Sequence, residues 1–391
     1  MAESPRVLVV HNRYRVEGGE ERAVELQLRT LRAAGIEARL LERRSDEVGG
    51  PRAAAALLRG GAGEDEVAAA VGAMRADVMH VHNMQPLIGP RGLRAGRAAG
   101  ARVVLHLHNL RLFRAIGVAS RDGGPCFRCR GRLTLPGLAL NCRGSLPESA
   151  AYAAGLALHQ PKVLDAVDRF VVPSRWAAGQ LALHGLPADR LEVIAHYLPE
   201  EAFAGASRAG EGTYALVASR LSPEKGIDTA IVASAAAGVP LVIAGEGPER
   251  DTLAGLARRL GAPAELVGRA DRARMADLLG GAGAVLMPSR YHEFAPYAAQ
   301  EAMAEGVPVV ATAMGALPEL IGSERCVPAN DADALARRLR ILWDDAGRRR
   351  AEGDELIARA RERHSEDTHR GRLLDLYARL VASKAHTTAL Q

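Results

Sequence analysis

The stretch SRYHEFAPYAAQEAMAEGVPVVAT, residues 289–312, carries two glutamates eight positions apart, Glu293 and Glu301. Ahead of it, GAVLMPS is short, apolar and bounded by small residues, so it predicts a strand with Ser289 at its carboxyl end. Pro296 suits the first position of a helix, where its missing N–H is least felt. PYAAQEAMAEG then predicts a helix that stops at Gly306, before a second strand in VPVVAT. Glu293 falls on the loop and Glu301 in the second helical turn, both close to a helix N-terminus. That end presents amide hydrogens and the positive pole of the helix dipole, which favours phosphate. Amides there suit a diphosphate, Glu301 suits a ribose diol, and Glu293 reaches the group beyond the phosphate.

The same alternation runs through the rest of the chain. In the first half RVLVVHN, EARLLER, DVMHVHN, ARVVLHLHN, RFVVPS and LEVIAHYL read as strands, with amphipathic helical patterns such as EERAVELQLRTLRAAG between them. Strands alternating with helices predict parallel βαβ units and a doubly wound sheet. LPEEAFAGASRAGEGT is polar, rich in small residues and without periodicity, and reads as a linker. Beyond it the alternation restarts in TYALVAS, PLVIAG, AELVG, GAVLMPS and PVVAT. The expectation is an α/β chain of two Rossmann-like domains, 1–200 and 212–365. A C-terminal helix and tail, 366–391, would return toward the first. Ligands of open α/β sheets bind at the carboxyl ends of the strands, so two such domains would face each other across a binding cleft.

Bulk composition agrees. The 391 residues exceed what one core usually supports, and 48% hydrophobic with 25% charged residues is ordinary for a globular protein. The formal charge of +5 is concentrated in the first half. Five Phe and two Trp leave little for base stacking, and no long block of like charge appears, which argues against nucleic acid as a partner. No signal-peptide pattern opens the chain, and its apolar runs fall short of the ~20 residues of a membrane span. The expected location is cytoplasmic, with a peripheral contact of the basic N-domain at the inner membrane face as its extension.

Upstream of the opening stretch, ASRLSPEKGID puts Arg220 at a strand end and Lys225 five residues on, with Pro223 and Gly226 shaping the turn. A planar guanidinium fork and a compact ammonium together suit a diphosphate. AGEGPER, Gly245 to Arg250, is a glycine-rich strand-to-helix turn, but Arg250 stands where the third glycine of GxGxxG belongs. The order of these pieces, Arg220 and Lys225, Gly245–Pro248, Val267–Gly268, then Glu293 and Glu301 in EAMAEGVPVVA, resembles the retaining GT-B glycosyltransferases of family 4. The resemblance covers roughly residues 214–320.

That resemblance implies a GT-B fold and an enzyme that moves a sugar from a nucleotide-diphosphate sugar, a UDP-sugar first among them. The acceptor would be a hydroxyl of a sugar, cyclitol, glycan, lipid-linked glycan or other small molecule, and the anomeric configuration would be retained. It implies that Arg220 and Lys225 contact the donor diphosphate, Glu301 the ribose and Glu293 hydroxyls of the transferred sugar. Gly268 and Arg269 would lie by the base, and the helix start at Ala295, Pro296 and Tyr297 by the phosphates. No obligatory metal is implied. One departure stands out: the family's usual Phe-Gly is replaced by Ala295 and Pro296, and proline offers no N–H. The departure bears on which sugar is preferred.

In the first half, HNRYRVEGGEERAVELQ joins strand to helix through Gly18 and Gly19, which permit close approach of backbone to ligand. VVLHLHN ends a strand with His106 and His108 on one face, followed by Asn109. By resemblance His108 touches the donor sugar, His11 is second choice, and the Gly-Gly turn lies beside donor phosphates and acceptor. PCFRCRGRLTLPGLALNC, in a loop over 111–146 expected to shape acceptor choice, spaces Cys126, Cys129 and Cys142 as reduced thiols or a structural zinc site lacking an evident fourth ligand. Rival readings are a glycosyltransferase of natural-product biosynthesis, a GT-B-like protein without turnover and an NAD-binding oxidoreductase.

Overall fold

The computed structural model describes residues 4–13, 18–117, 119–121 and 123–389, with side chains through residue 383. The first half supplies β1 (Val7–Arg13), β2 (Ala38–Arg44), β3 (Val78–Val81) and β4 (Arg102–His106). Next come the short antiparallel pair β5 (Ser120–Arg121) and β6 (Gly124–Pro125), then β7 (Arg169–Val172) and β8 (Leu191–Val193). Apart from that short pair they form one parallel sheet in the order β2-β1-β3-β4-β7-β8. The second half supplies β9 (Tyr214–Ala218), β10 (Leu241–Ala244), β11 (Ala264–Gly268), β12 (Ala282–Met287), β13 (Val309–Thr312) and β14 (Cys326–Val327). These too are parallel, in the order β11-β10-β9-β12-β13-β14. Each sheet reverses its strand order once, at β1/β3 and at β9/β12, the points where doubly wound sheets bind ligands.

Residues 1–119, 127–195 and 369–391 form one compact unit, and residues 120–126 and 196–368 the other. The stretch read as a linker is an ordered strap on the second unit. Ser207 donates from its amide to Asp354 Oδ1 (2.8 Å) and from its hydroxyl to the Gly306 carbonyl (2.5 Å). Buried Arg349 donates to the carbonyls of Ala209 and Gly210, both at 2.8 Å, and to those of Leu342 and Trp343 at a helix end. Its small residues suit this close packing, and its polar groups are satisfied by bonds that sequence periodicity does not report.

In the second unit, apolar side chains cover both sheet faces: Ile231, Leu253 and Leu339 on one, Met303, Leu317 and Leu356 on the other. In the first unit Val7, Val9, Val78 and Val104 meet Val24, Leu28 and Leu31 of the helix Gly19–Ala33. Leu373, Leu376, Tyr377 and Leu380 of the last helix, Glu366–Ala389, complete that core. Because strand side chains alternate, the face that holds Val7, Val9, Val78 and Val104 also holds His11, His80, His82 and His106 further along the same strands. One sheet face is thus apolar toward the strand starts and imidazole-rich toward their carboxyl ends.

Candidate functional site

At the β9/β12 switch point of the second unit two loops meet through glycine. Gly226 has φ +64°, and a Cβ there would lie 2.2 Å from the Pro288 carbonyl. This fixes the Lys225 turn against the end of β12. Gly315 has φ +69°, its Cβ would fall 2.2 Å from the Glu293 carbonyl, and Ala316 N donates to that carbonyl at 2.8 Å. The Glu293 backbone is therefore held by the loop after β13.

The side chains converge accordingly. Lys225 Nζ donates to Glu293 Oε1 (2.8 Å) and to the Tyr291 hydroxyl (3.0 Å), which in turn donates to Glu293 Oε2 (2.6 Å). Ser289 donates to Glu293 Oε1 (2.7 Å), and Glu293 is only 4% exposed. Burial alone would pull the Lys225 ammonium down, but the Glu293 carboxylate and the Tyr291 hydroxyl outweigh it and hold its pKa above the ordinary value. Burial and Glu293 push the Tyr291 hydroxyl up, so it stays neutral and donates. Tyr291 and Gly315 were not singled out from sequence; the aromatic two residues before Glu293 and the glycine before Ala316 were the available signals.

Arg220, more exposed, donates to Glu224 Oε1 (2.5 Å) and Ser222 Oγ (3.3 Å). Burial pushes the Glu224 carboxyl up, but its own backbone amide, Ser222 and Arg220 more than offset this, leaving its pKa lowered. The AGEGP glycines serve this turn. A Cβ at Gly245 would lie 1.8 Å from the Ser219 carbonyl and one at Gly247 2.2 Å from that of Leu221. Leu221 N donates to the Glu246 carbonyl (2.9 Å) and Gly245 N to that of Gly268 (2.7 Å). The turn that resembles a dinucleotide fingerprint is thus explained by packing of three strand-end loops.

The helix after Glu293 runs Tyr297–Ala304, with Pro296 as its N-cap at φ −69°, ψ 128°. It starts one residue later than the sequence suggests, because proline adopts the extended conformation of a cap as readily as that of the first turn. Glu301 remains in the second turn, half-buried, and the Tyr297 ring stacks on His196 at 5.0 Å and 15°. Gly268 is buried with φ +77°, and Arg269 beside it is exposed.

The first unit presents a different surface at β1/β3. Gly18 caps the helix Gly19–Ala33, and its amide donates to Glu21 Oε2 (2.8 Å). His106 closes β4 and His108 lies just beyond it; their rings stack at 4.2 Å and 13°. The stack continues to His82, 4.9 Å from His106 and 5.2 Å from His108, and to His80, 5.0 Å from His82. His11 meets His82 edge-on at 6.4 Å. Sequence reading marked His11, His106 and His108; the parallel pairing of β3 with β4 adds His80 and His82. Ligand nitrogens of His80, His82 and His106 lie within 4.8 Å of one another, but both nitrogens of His82 are already engaged, by His108 at 3.0 Å and Gln27 at 2.9 Å. The groupings of described side chains close enough to share an ion contain histidines and no cysteine. Cys129 is buried, with its Sγ 3.9 Å from the Thr134 carbonyl.

Solved structures share this architecture. Sucrose-phosphate synthase from Thermosynechococcus elongatus superposes with a TM-score of 0.72 at 17% identity, over 97% of this chain and 100% of that one. Anabaena HepE in complex with UDP does so with a TM-score of 0.67 at 17% identity, over 95% and 99%. The fold is GT-B. The family model Glycosyl transferases group 1 matches residues 200–363, and the Glycosyl transferase 4-like domain matches residues 6–196. The chain belongs to the GT4-type GT-B glycosyltransferases. Glycogen synthase of Mycobacterium tuberculosis is 36% identical over 149 residues, 35% of this chain and 36% of that protein. The chain thus spans about a third of the length of the curated relatives it matches. Among the described residues no helix is long and apolar enough to cross a membrane.

Proposed function

We propose that the protein is a retaining glycosyltransferase that uses a nucleotide-diphosphate sugar, a UDP-sugar first among the candidates. The observation that carries this is the half-buried Lys225–Tyr291 pair bonded to buried Glu293 and Ser289 at the β9/β12 switch point, beside the Arg220 turn. Its chemistry fits a donor whose anionic end needs cations and whose sugar offers hydroxyls. The complex of HepE with UDP supports the donor class. Arg220 and Lys225 neutralise the diphosphate, and the helix start at Ala295, Pro296 and Tyr297 adds its dipole. Glu301 accepts from the ribose, Glu293 from sugar hydroxyls, and Gly268 with Arg269 borders the base. His108 and the Gly18-Gly19 turn are the first unit's contribution to donor and acceptor.

In the reaction the bond from the anomeric carbon to the diphosphate oxygen breaks, and one to the acceptor oxygen forms on the same face. The acceptor proton passes to the departing phosphate oxygen. Stabilisation of that developing charge by Lys225 and Arg220 is the main catalytic contribution, so no metal is required. For the acceptor we favour a lipid-linked glycan at a membrane face. Leu133, Leu135 and Leu146 are 58%, 62% and 60% exposed in the cysteine-bearing segment, which also carries exposed Arg128, Arg130 and Arg132.

The test is release of nucleoside diphosphate from a panel of UDP-, GDP-, ADP- and dTDP-sugars in the presence of EDTA, with the anomer of the product read by NMR. Turnover of one donor class with an axial product from an axial donor is expected. An inverted product, or activity that EDTA abolishes, contradicts the mechanism.

A further inference from the structure

Arg290, next to Ser289 on the loop after β12, grips the Lys225 turn from two directions. Its backbone amide donates to the Glu224 carbonyl at 2.8 Å. Its guanidinium reaches round the same turn. Nη1 donates to the Pro223 carbonyl at 3.4 Å, and Nη2 donates to Asp228 Oδ2 at 2.6 Å and to Thr229 Oγ1 at 3.0 Å. These partners bracket Lys225 on both sides in the sequence. Nε donates to Asn330 Oδ1 at 2.5 Å, just ahead of the helix Ala332–Trp343, where Asn330 holds a left-handed φ of +61°. One side chain, 17% exposed, thus joins the loops that follow β9, β12 and β14.

The place calls for a guanidinium. Its planar fork serves two carbonyl-type oxygens, a carboxylate and a hydroxyl that lie in different directions, which a compact ammonium cannot do. The stem packs on the turn as well, since a Cβ built at Gly226 would lie 3.4 Å from Arg290 Cγ. Further along the same loop, Tyr291 and Glu293 bond the Lys225 ammonium. The loop therefore holds Lys225 at both ends, its backbone through Arg290 and its charge through Tyr291 and Glu293. Lysine has a long, flexible stem, so gripping the ammonium alone would leave its base free to drift. A charge displaced by about 1 Å from its productive place loses much of its catalytic value.

We infer that Arg290 is a positioning residue for Lys225, holding the turn from Pro223 to Thr229 where the ammonium can meet a diphosphate. The diphosphate rests on the glycosyltransferase reading above; the clamp on the turn does not. The guanidinium is committed to protein partners, so its influence on a ligand passes through Lys225.

A double-variant cycle on the full-length protein tests this. UDP, GDP, ADP, dTDP and their nucleosides are titrated by calorimetry into wild type, Arg290→Met, Lys225→Ala and the double variant, below the melting temperature of each. Arg290→Met should weaken the nucleoside diphosphate that binds by about five- to tenfold, on the order of one charge-assisted hydrogen bond. Its nucleoside should bind as before. In the Lys225→Ala background the same substitution should change affinity by less than about twofold, because the group it positions is gone. Full additivity, or wild-type affinity in Arg290→Met, overturns the inference. Arg290→Lys keeps the charge without the fork and guards against misfolding in the methionine variant. It should lose affinity in the same way, and wild-type affinity there would overturn the role given to the fork. Amide hydrogen exchange over residues 222–229 reads the clamp without a ligand. It should quicken in Arg290→Met while exchange in the helix Arg250–Leu260 is unchanged; exchange at the wild-type rate overturns the clamp. Quickened exchange in a protein that binds no nucleoside diphosphate supports the clamp and sinks the function assigned to the turn.

Discussion

The two switch points are built on opposite electrostatic plans. At β9/β12, charge is held by charge: Lys225 and Glu293 are paired at 2.8 Å, and Arg220 and Glu224 at 2.5 Å. At β1/β3, a face of stacked imidazoles hydrogen-bonds to an amide and a phenol, with His80 kept neutral by burial. The first plan suits a ligand with permanent negative charge, the second a ligand that is polar and uncharged. The difference teaches that two units of one fold can carry strand ends of contrasting chemistry, ion-paired in one and neutral in the other.

The largest effect should come from breaking the charged plan. Lys225→Ala is expected to lower kcat by about 10²–10³, the range for a lost preorganised charge-stabilising group. It also strands Glu293 buried and unpaired, so the melting temperature should drop as well. The double variant Lys225→Met with Glu293→Gln separates the two effects: melting temperature recovers while turnover does not. Recovery of turnover with stability would mean the pair is structural.

Next come the glycines. Gly226→Ala and Gly315→Ala each set a Cβ 2.2 Å from a carbonyl oxygen at positive φ, and about 2–4 kcal/mol of stability should be lost in urea unfolding. Gly18 has φ −152° and its nearest neighbour to a built Cβ lies 3.7 Å away. Gly18→Ala should therefore change stability by less than about 0.5 kcal/mol while weakening turnover, on the proposal above that this turn borders the donor. A Gly18→Ala enzyme with wild-type kinetics would remove that turn from the site.

Acid should distinguish the neutral plan. His80 titrates at about 3 when folded against 6.5 ordinarily, so below pH 6.5 the unfolded chain binds more protons than the folded one. Stability present at neutral pH is then lost progressively as pH falls from 6.5 toward 3. His364, also depressed by burial, acts in the same direction in the second unit. Thermal melts between pH 7 and pH 5 should show a falling midpoint, with a shallower slope in His80→Phe; an unchanged slope would show that His80 carries none of it. A moderate effect is expected from Tyr291→Phe, which removes one donor to Glu293 and should cost about 1–2 kcal/mol with a modest loss of turnover.

Much of the second unit was legible because its signals are local: a strand end, a turn glycine and a helix start within a few residues of one another. Arg220, Lys225, Glu293 and the helix that bears Glu301 could be placed from spacing alone. Tyr291 and Gly315 escaped because their meaning lies in a partner, Glu293, that only the folded loops bring to them. The first unit's site was less legible still. His80 and His82 join His106 and His108 through strand pairing across residues, and Gln27 meets Tyr377 across most of the chain. The strap over residues 198–213 looked like a linker because polar, small-residue sequences give no periodic signal whether they are loose or, as here, pinned by Arg349 and Asp354.

The central claim, that Lys225 and its neighbours hold the diphosphate of a nucleotide-sugar, is tested most directly by calorimetric titration. UDP, GDP, ADP, dTDP, NAD and the matching nucleosides would be titrated into wild type and Lys225→Ala. One nucleoside diphosphate is predicted to bind, its nucleoside far more weakly, and Lys225→Ala to lose at least about tenfold in affinity. Equal affinity in the two proteins, or binding of NAD alone, would contradict the account.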